Sequence, residues 1–383
     1  MVNFPEDWGL ASLGEVSRIR TGTRNRNEKS VSGRYPFFVR SAIIERIDSY
    51  SYDTEAVLVP GEGNIGSIFH YIRGKFDVHQ RVYVISEFPD GVSGQFVFWY
   101  MKYLFGDHAL ENTSKATVDS LRLPVFRSFP LRLPQLNQQH AIAEVLSDFD
   151  EHLANLDELI VKKKVIRDGA LEALTSGERR LDGFNSTWRT RPLSEFARVY
   201  DGVHQTPDYE ESGVRFVSVE DISNIYASRK FISQSSYIKD FKVRPTKGDV
   251  LMTRIGDIGT PAYVRSDELL AYYVSLALLK PVGIDGLFLH YYIQSPGFQN
   301  ELNDRSLLHA TPKKINKGEI GFCLVTVPLD RNEQRAIAEV LSGMDAEIRL
   351  LEEERVKVER LKLGAMDDLL TGRVRLPIEE EAA

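Results

Sequence analysis

Ala141-Ile142-Ala143-Glu144-Val145-Leu146-Ser147 returns letter for letter as Ala336-Ile337-Ala338-Glu339-Val340-Leu341-Ser342. Seven consecutive identities inside one chain are far beyond chance, and an internal repeat decides the architecture before any single element does. Each copy opens a long helical pattern, and each pattern follows a mixed segment of similar size. The 383-residue chain is therefore a unit written twice: globular segment, long helix, globular segment, long helix.

After the first copy, Leu146, Phe149, Leu153, Leu156 and Ile160 recur at steps of three and four, and Ile166, Ala170 and Leu174 continue the stripe after a phase shift. After the second, Leu341, Met344, Ile348, Leu351, Val358, Leu361, Ala365 and Leu369 form a matching stripe. Gly177 and Gly372 supply the stops, glycine being free to take the left-handed conformation at a helix end. Each helix is about 40 residues, or roughly 60 Å at 1.5 Å per residue. A narrow apolar stripe flanked by charge is a coiled-coil seam. Neither helix can bury its stripe alone, so the two are expected to pair antiparallel. That pairing would put the globular segments at opposite ends, related by an approximate two-fold axis. A dimerisation coil between chains is the competing use, and it is disfavoured because a partner in the same chain has the higher effective concentration.

The expected fold is α+β, with two similar α/β domains separated by two long antiparallel coiled-coil helices. The first domain spans 1–134 and the first helical spacer 135–181. The second domain spans 182–328, the second spacer 329–376, and an acidic tail 377–383. In the first domain Phe37-Phe38-Val39, Val57-Leu58-Val59 and Arg81-Val82-Tyr83-Val84-Ile85 read as strands, and the longer Phe96–Leu104 run reads as a helix. The second domain answers in order. Trp188 and Leu193 repeat the spacing of Trp8 and Leu13, Gly202 answers Gly22, and Val214–Ser218 answers the strand at Phe37. Gly256-Asp257-Ile258-Gly259 answers Gly63-Asn64-Ile65-Gly66, and the helical run from Leu287 answers that at Phe96. A shared framework with different intervening residues suits one fold with two binding specificities.

Composition narrows the function. A net charge of −7 argues against a protein that grips nucleic acid through bulk charge, so any such binding needs local cations or a partner. The single cysteine, Cys323, excludes a disulfide framework and is expected as a buried thiol. The N-terminus lacks a secretory pattern, and no apolar run approaches the roughly 20 residues of a membrane helix, so a cytoplasmic protein with no membrane partner is expected.

Gly61-Glu62-Gly63-Asn64-Ile65-Gly66 matches a dinucleotide-binding spacing. Such a loop must open a helix that aims its N-terminus at the pyrophosphate. Ser67–Ile72 reads instead as a strand, and the second copy places Arg254 where the first glycine would stand. A turn presenting backbone and Asn64 or Asp257 at a surface is the better reading. There is no zinc spacing, nucleophile elbow or Walker loop, and the histidines are scattered. The chain reads as a non-enzyme with no catalytic residues, metal or cofactor. Cations concentrate locally: Arg18, Arg20, Arg24, Arg26, Lys29, Arg34 and Arg40 face Glu28 alone, interleaved with Thr and Asn, a mix suited to phosphate and base-edge contacts.

The layout resembles the specificity subunit of type I restriction–modification systems. Leu133-Pro134 followed by Gln139 and the Ala141–Ser147 stretch looks like that family's approach to its helix. Val327-Pro328 followed by Asn332-Glu333-Gln334 and the second copy fits better, because Gln138 replaces the glutamate in the first. The resemblance implies two target-recognition domains, each reading one half of a split duplex DNA sequence. It implies helices that set the spacing and dock two modification subunits, which methylate adenine, and restriction subunits that join to give a nuclease. Half-sites would lie about one turn, ~10 bp, apart and would differ, giving an asymmetric target.

For DNA contact the residues favoured are Arg18, Arg20, Arg24, Arg26, Arg40, Asn64, Lys115 and Thr117 in the first domain. In the second they are His204, Gln205, Arg254, Asp257, His309, Thr311 and Lys313. For partner docking, the repeated helix starts point to Gln139, Glu144, Gln334 and Glu339. The competing functions are a fused or stand-alone DNA-modifying enzyme, opposed by the missing motifs, and a protein-only scaffold, opposed by the cation cluster.

Overall fold

The computed structural model describes residues 4–63, 65–112, 120–307 and 311–377. The chain forms two compact units that do not follow its linear order. Unit 1 comprises Met1–Asp157 and Glu353–Ala383, and unit 2 comprises Glu158–Glu352.

In unit 1, β1 (Gly9–Ser12), β2 (Arg18–Thr21), β3 (Tyr35–Phe38), β4 (Glu45–Ile47), β5 (Tyr52–Pro60), β6 (His70–Val78) and β7 (Val82–Ser86) precede α1 (Gly94–Asn112), α2 (Leu123–Arg127) and β8 (Pro130–Leu133). Six strands form one sheet in the order β2-β7-β5-β6-β3-β4, and β1 pairs with β8. The Phe96 run is helical as its length predicts, and it buries Phe96, Val97, Trp99, Tyr100, Met101 and Phe105. The strand after the Gly61 turn begins at His70, not Ser67.

Unit 2 contains β9 (Trp188–Pro192), β10 (Ala197–Asp201), β11 (Val214–Val217), β12 (Lys230–Ile232) and α4 (Gln234–Asp240), which follow the last turns of α3 (Leu136–Ser176). Then come β13 (Val250–Thr253), β14 (Pro261–Tyr263), β15 (Leu270–Tyr272), β16 (Leu276–Pro281), α5 (Gly286–Gln294), α6 (Pro296–Arg305), α7 (Lys317–Phe322), β17 (Leu324–Pro328) and α8 (Arg331–Leu370). The sheets are ordered β10-β16-β13-β14 and β12-β11-β15, with β9 paired to β17. This is the topology of unit 1 with one change. The long strand β6 is replaced by two short ones, β14 and β15, and the six-stranded sheet divides there.

Each unit completes its core with both long helices. In unit 1, Ile142, Ala143 and Leu146 of α3 and Met366, Leu369 and Leu370 of α8 pack with Trp8, Trp99 and Phe126. In unit 2, Leu171 and Leu174 of α3 and Ile337, Ala338 and Leu341 of α8 pack with Phe288, Tyr292 and Val325. The pairing is antiparallel within each unit. In unit 1 Arg355 meets Asp157 at 2.7 Å and Lys362 meets Asp150; in unit 2 Lys163 meets Glu347 at 2.6 Å and Arg167 meets Asp345 at 2.9 Å. Gly177 (φ 77°) and Gly372 (φ 73°) end the helices in the left-handed region, where a side chain would strain the backbone. Gly177 lies against Trp188, and Gly372 against Pro5 and Trp8.

The stripes differ from expectation at one equivalent step in each helix. Ile166 and Leu361 face solvent. The next residue turns inward in their place. Lys362 lies over the Trp99 ring at 4.9 Å and Arg167 over the Tyr291 ring at 5.8 Å. Each cation also pairs with an aspartate of the opposing helix, so a cation–π contact and an ion pair replace an apolar step.

Candidate nucleic-acid interface

The two units share a backbone scaffold at the glycine turn. In unit 1 the Gly61 N–H donates to the Arg81 carbonyl at 2.8 Å, and the Gly61 carbonyl accepts from the Leu121 N–H at 2.7 Å. In unit 2 the Arg254 N–H donates to the Ser275 carbonyl at 2.9 Å, and its carbonyl accepts from the Ile315 N–H at 3.0 Å. The His79 N–H donates to Phe38 and the Tyr273 N–H to Val217, both at 2.9 Å. Gly22 and Gly202 each press on two carbonyls, those of Val78 and His79 and those of Tyr272 and Tyr273, leaving no room for a Cβ. The loops after the first sheet strand, the glycine turn and the segment before the short helix (α2 or α7) therefore converge in both units. The side chains they carry differ almost throughout.

In unit 1 the expected cations are held by carboxylates, most of them distant in sequence. Arg18 and Arg20 both reach Glu87, at 3.3 and 2.7 Å. Arg24 pairs with buried Asp77 at 2.9 Å and with Glu28 at 3.1 Å, an anchored position. Arg26 pairs with Glu45 at 3.3 Å, and Arg40 with Glu62 at 3.1 Å. Lys29 and then Arg26 hold the Glu45 carboxyl below its usual range. His79 accepts the Arg81 N–H on Nδ1 at 3.0 Å, so that nitrogen is unprotonated. Burial first, then Arg40 and Arg81, push its pKa down and keep the ring neutral. Asn64, Lys115, Thr117 and His309 lie outside the described residues.

In unit 2 the expected residues gather at the same three loops. His204, Gln205 and Thr311 are exposed. Asp257 sits at the exposed tip of the turn and accepts from the Thr260 hydroxyl. The Gly256 N–H donates to the Lys313 carbonyl at 2.8 Å, which joins turn and segment, while the Lys313 ammonium donates to Asn303 at 2.7 Å. Arg254 is the exception. It is buried, donates to the Ile315 carbonyl at 3.1 Å and pairs with Asp201. Its guanidinium is taken up by the protein, which corrects the expectation of an outward-facing contact.

The scaffold, duplicated on two units with unlike side chains, is matched by sequence. The family described as type I restriction modification DNA specificity domain aligns with residues 5–162 and 185–360. The chain belongs to this family. This specificity protein is 22% identical over 408 residues to the type I restriction enzyme MjaVIII specificity subunit of Methanocaldococcus jannaschii, spanning 98% of this chain and 95% of that one. It is 30% identical over 192 residues to the type I restriction enzyme EcoDI specificity subunit of Escherichia coli, spanning 49% of this chain and 41% of that one. In fold it is similar to the type I restriction–modification S subunit of M. genitalium, with a TM-score of 0.68 at 17% identity over 96% of each chain. The chain thus carries two DNA specificity domains, and its function is DNA sequence specificity in a type I restriction–modification system.

The residues expected to meet partners divide into two kinds. Gln139 and Gln334 are buried. The Gln139 amide accepts from the Ser93 N–H at 2.9 Å and donates to Gly91 and Pro134 at 3.0 and 2.8 Å. The Gln334 amide accepts from the Asp285 N–H and donates to Pro328, both at 2.7 Å. These side chains pin each specificity domain to its helix and are not available to a partner, which corrects that expectation. Glu144 and Glu339 are exposed and carry no ion pair among the described residues.

Glu333, beside Gln334, is fully buried and receives Arg180 at 2.5 and 2.9 Å, Trp188 Nε1 at 3.3 Å and the Ser186 hydroxyl. In the first copy Gln138 donates to the Leu376 carbonyl at 3.1 Å instead, and Arg375, the counterpart of Arg180, turns to Asp7 at 2.9 Å. The exchange of glutamate for glutamine is thus answered by a re-paired arginine. Cys323 is buried as expected, and burial drives its thiol pKa up to about 12. No helix among the described residues is long and apolar enough to cross a membrane.

Proposed function

We propose that the chain is the non-catalytic DNA-reading subunit of a complex whose modification subunits methylate adenine, and that each unit reads one half of a two-part, asymmetric target. The observation that carries this reading is the shared hydrogen-bonded scaffold with exchanged side chains: the same loops in both units, with Glu62, Arg40 and Arg81 in one where the other has Ile255, Val219 and Ser275. Base readout depends on side chains presented from a fixed frame, so two frames with unlike side chains read unlike half-sites. The acidic chain, −7 overall, then relies on its partners for much of the phosphate grip. The long helices set the half-site spacing and dock the modification subunits near Glu144 and Glu339. Exposed Val161, Val165 and Leu350 in unit 2 and Val356, Leu361 and Leu363 in unit 1 give those helices apolar surface for a partner.

Mapping methylated adenines in cells that express the chain with its host's modification subunits tests the reading. The expected result is one two-part sequence with unlike halves. A palindromic or continuous target, or methylation by the isolated chain, would overturn it.

A further inference from the structure

We propose that Glu62 is a specificity-setting residue of unit 1: it holds Arg40 and Arg81 as a two-guanidinium clamp that reads a guanine in the half-site of that unit. The inference rests on the DNA-reading function above and names what one unit reads. Glu62 is half-buried on the glycine turn, with Arg40 on one carboxylate oxygen at 3.1 Å and Arg81 on the other. Both arginine side chains remain more than half exposed, at 52% and 56%. Glu62 forms a wall shared by two clefts, one of about 270 Å³ beside Arg40 and one of about 380 Å³ beside Arg81.

The chemistry follows from this arrangement. A guanidinium anchored through Nη1 on a carboxylate keeps the N–H groups of Nη2 and Nε to present in its plane. That plane matches the O6 and N7 acceptors of guanine in the major groove. A freely rotating arginine would neutralise phosphate without distinguishing bases.

The second unit supplies the internal control. Backbone bonds place Ile255 at the position of Glu62, Ser275 at that of Arg81 and Val219 at that of Arg40. These positions also converge, since the Val219 N–H donates to the Ser275 hydroxyl at 3.1 Å. One set of three positions is a charged clamp in one unit and an apolar and hydroxyl cluster in the other. The clamp is therefore not needed to build the fold, and it distinguishes what the two units present.

The test uses the full-length chain assembled with its modification subunits and offered randomised duplexes, with base preference at each position read from the bound fraction. Wild type is expected to require a G·C pair at one position of one half-site. Arg40→Lys or Arg81→Lys should lower that preference about 10-fold or more, and Glu62→Gln about 5-fold, with the other half-site unchanged. Should a variant fail to fold, 7-deazaguanine placed at each guanine of the target in turn tests wild type directly, and one position is expected to lose about 10-fold in affinity. A two-part target selected by wild type, with no preference altered by folded variants and no guanine sensitive to loss of N7, overturns the clamp alone. Failure of wild type to select any sequence overturns the DNA-reading function and the clamp with it.

Discussion

Arg254 pairs with Asp201 inside the second unit and donates to the Ile315 carbonyl at 3.1 Å, from the position that Gly61 holds in the first. The second unit thus ties its turn inward through a guanidinium, at a position where the first has no side chain. Arg254→Ala leaves the Ile315 carbonyl without this donor and Asp201 with Lys317 alone, at 3.6 Å, and removing one partner of a buried pair costs about 3 kcal/mol. Denaturant unfolding of the full chain should show that loss in the transition of unit 2. An unchanged midpoint with an altered base preference would make Arg254 a direct DNA contact after all.

His290 gives unit 2 an acid-sensitive point. Its Nε2 faces the Gln294 amide nitrogen at 3.0 Å, so the proton of the neutral ring sits on Nδ1, which is buried without a partner among the described residues. Burial pushes the pKa down to about 4. The unfolded ring titrates near its ordinary value of about 6.5, so below that pH the unfolded state takes up the proton first. Stability is therefore complete above pH ~6.5 and falls as the pH drops toward 4, by about 3 kcal/mol at the limit. Phe98 stands at the equivalent place in unit 1. His290→Phe should flatten the difference in unfolding free energy between pH 7.5 and 4.5, and an undiminished slope would assign it to other groups.

Gln334→Ala removes a side chain that satisfies the Asp285 N–H and the Pro328 carbonyl at once. Leaving buried backbone groups unpaired costs about 2 kcal/mol. Gln139→Ala should act alike on unit 1. If the two pins instead served a partner, both variants would unfold at the wild-type midpoint and lose the modification subunits.

Glu144 and Glu339 are exposed copies of one residue at the start of each helix, without ion pairs among the described residues. Their joint replacement by lysine should leave the fold within about 0.5 kcal/mol. The same double variant should weaken recovery of modification subunits in co-purification. Full recovery of an intact methylating complex would move the docking surface elsewhere on the helices.

Duplication was legible because the Ala141–Ser147 stretch repeats unchanged, and it gave the two-domain α+β organisation and the order of the principal strands and helices. The same route led astray at Ile166 and Leu361. A three-and-four stripe weighs a residue by hydrophobicity, whereas at those steps Arg167 and Lys362 win the interior through an aromatic face and an aspartate. The cation cluster from Arg18 to Arg40 was visible as a run. Its partners Asp77, Glu45, Glu62 and Glu87 were not, because they come from strands and turns distant in sequence. Gln139 and Gln334 stood out by repetition, but repetition marks a packing pin as readily as a docking contact.

Unit 2 is one uninterrupted stretch, whereas unit 1 waits for Met366, Leu369 and Leu370 to fill its core and for Gly372 to meet Trp8. On the ribosome, the N-terminal part of unit 1 is therefore made before unit 2 yet finished after it. The second reader can consolidate during synthesis, while the first stays open until the final helix has emerged. A chain cut short within the last turns of α8 would leave unit 2 intact and unit 1 unfinished, so that loss of Met366, Leu369 and Leu370 silences the reader that opens the chain.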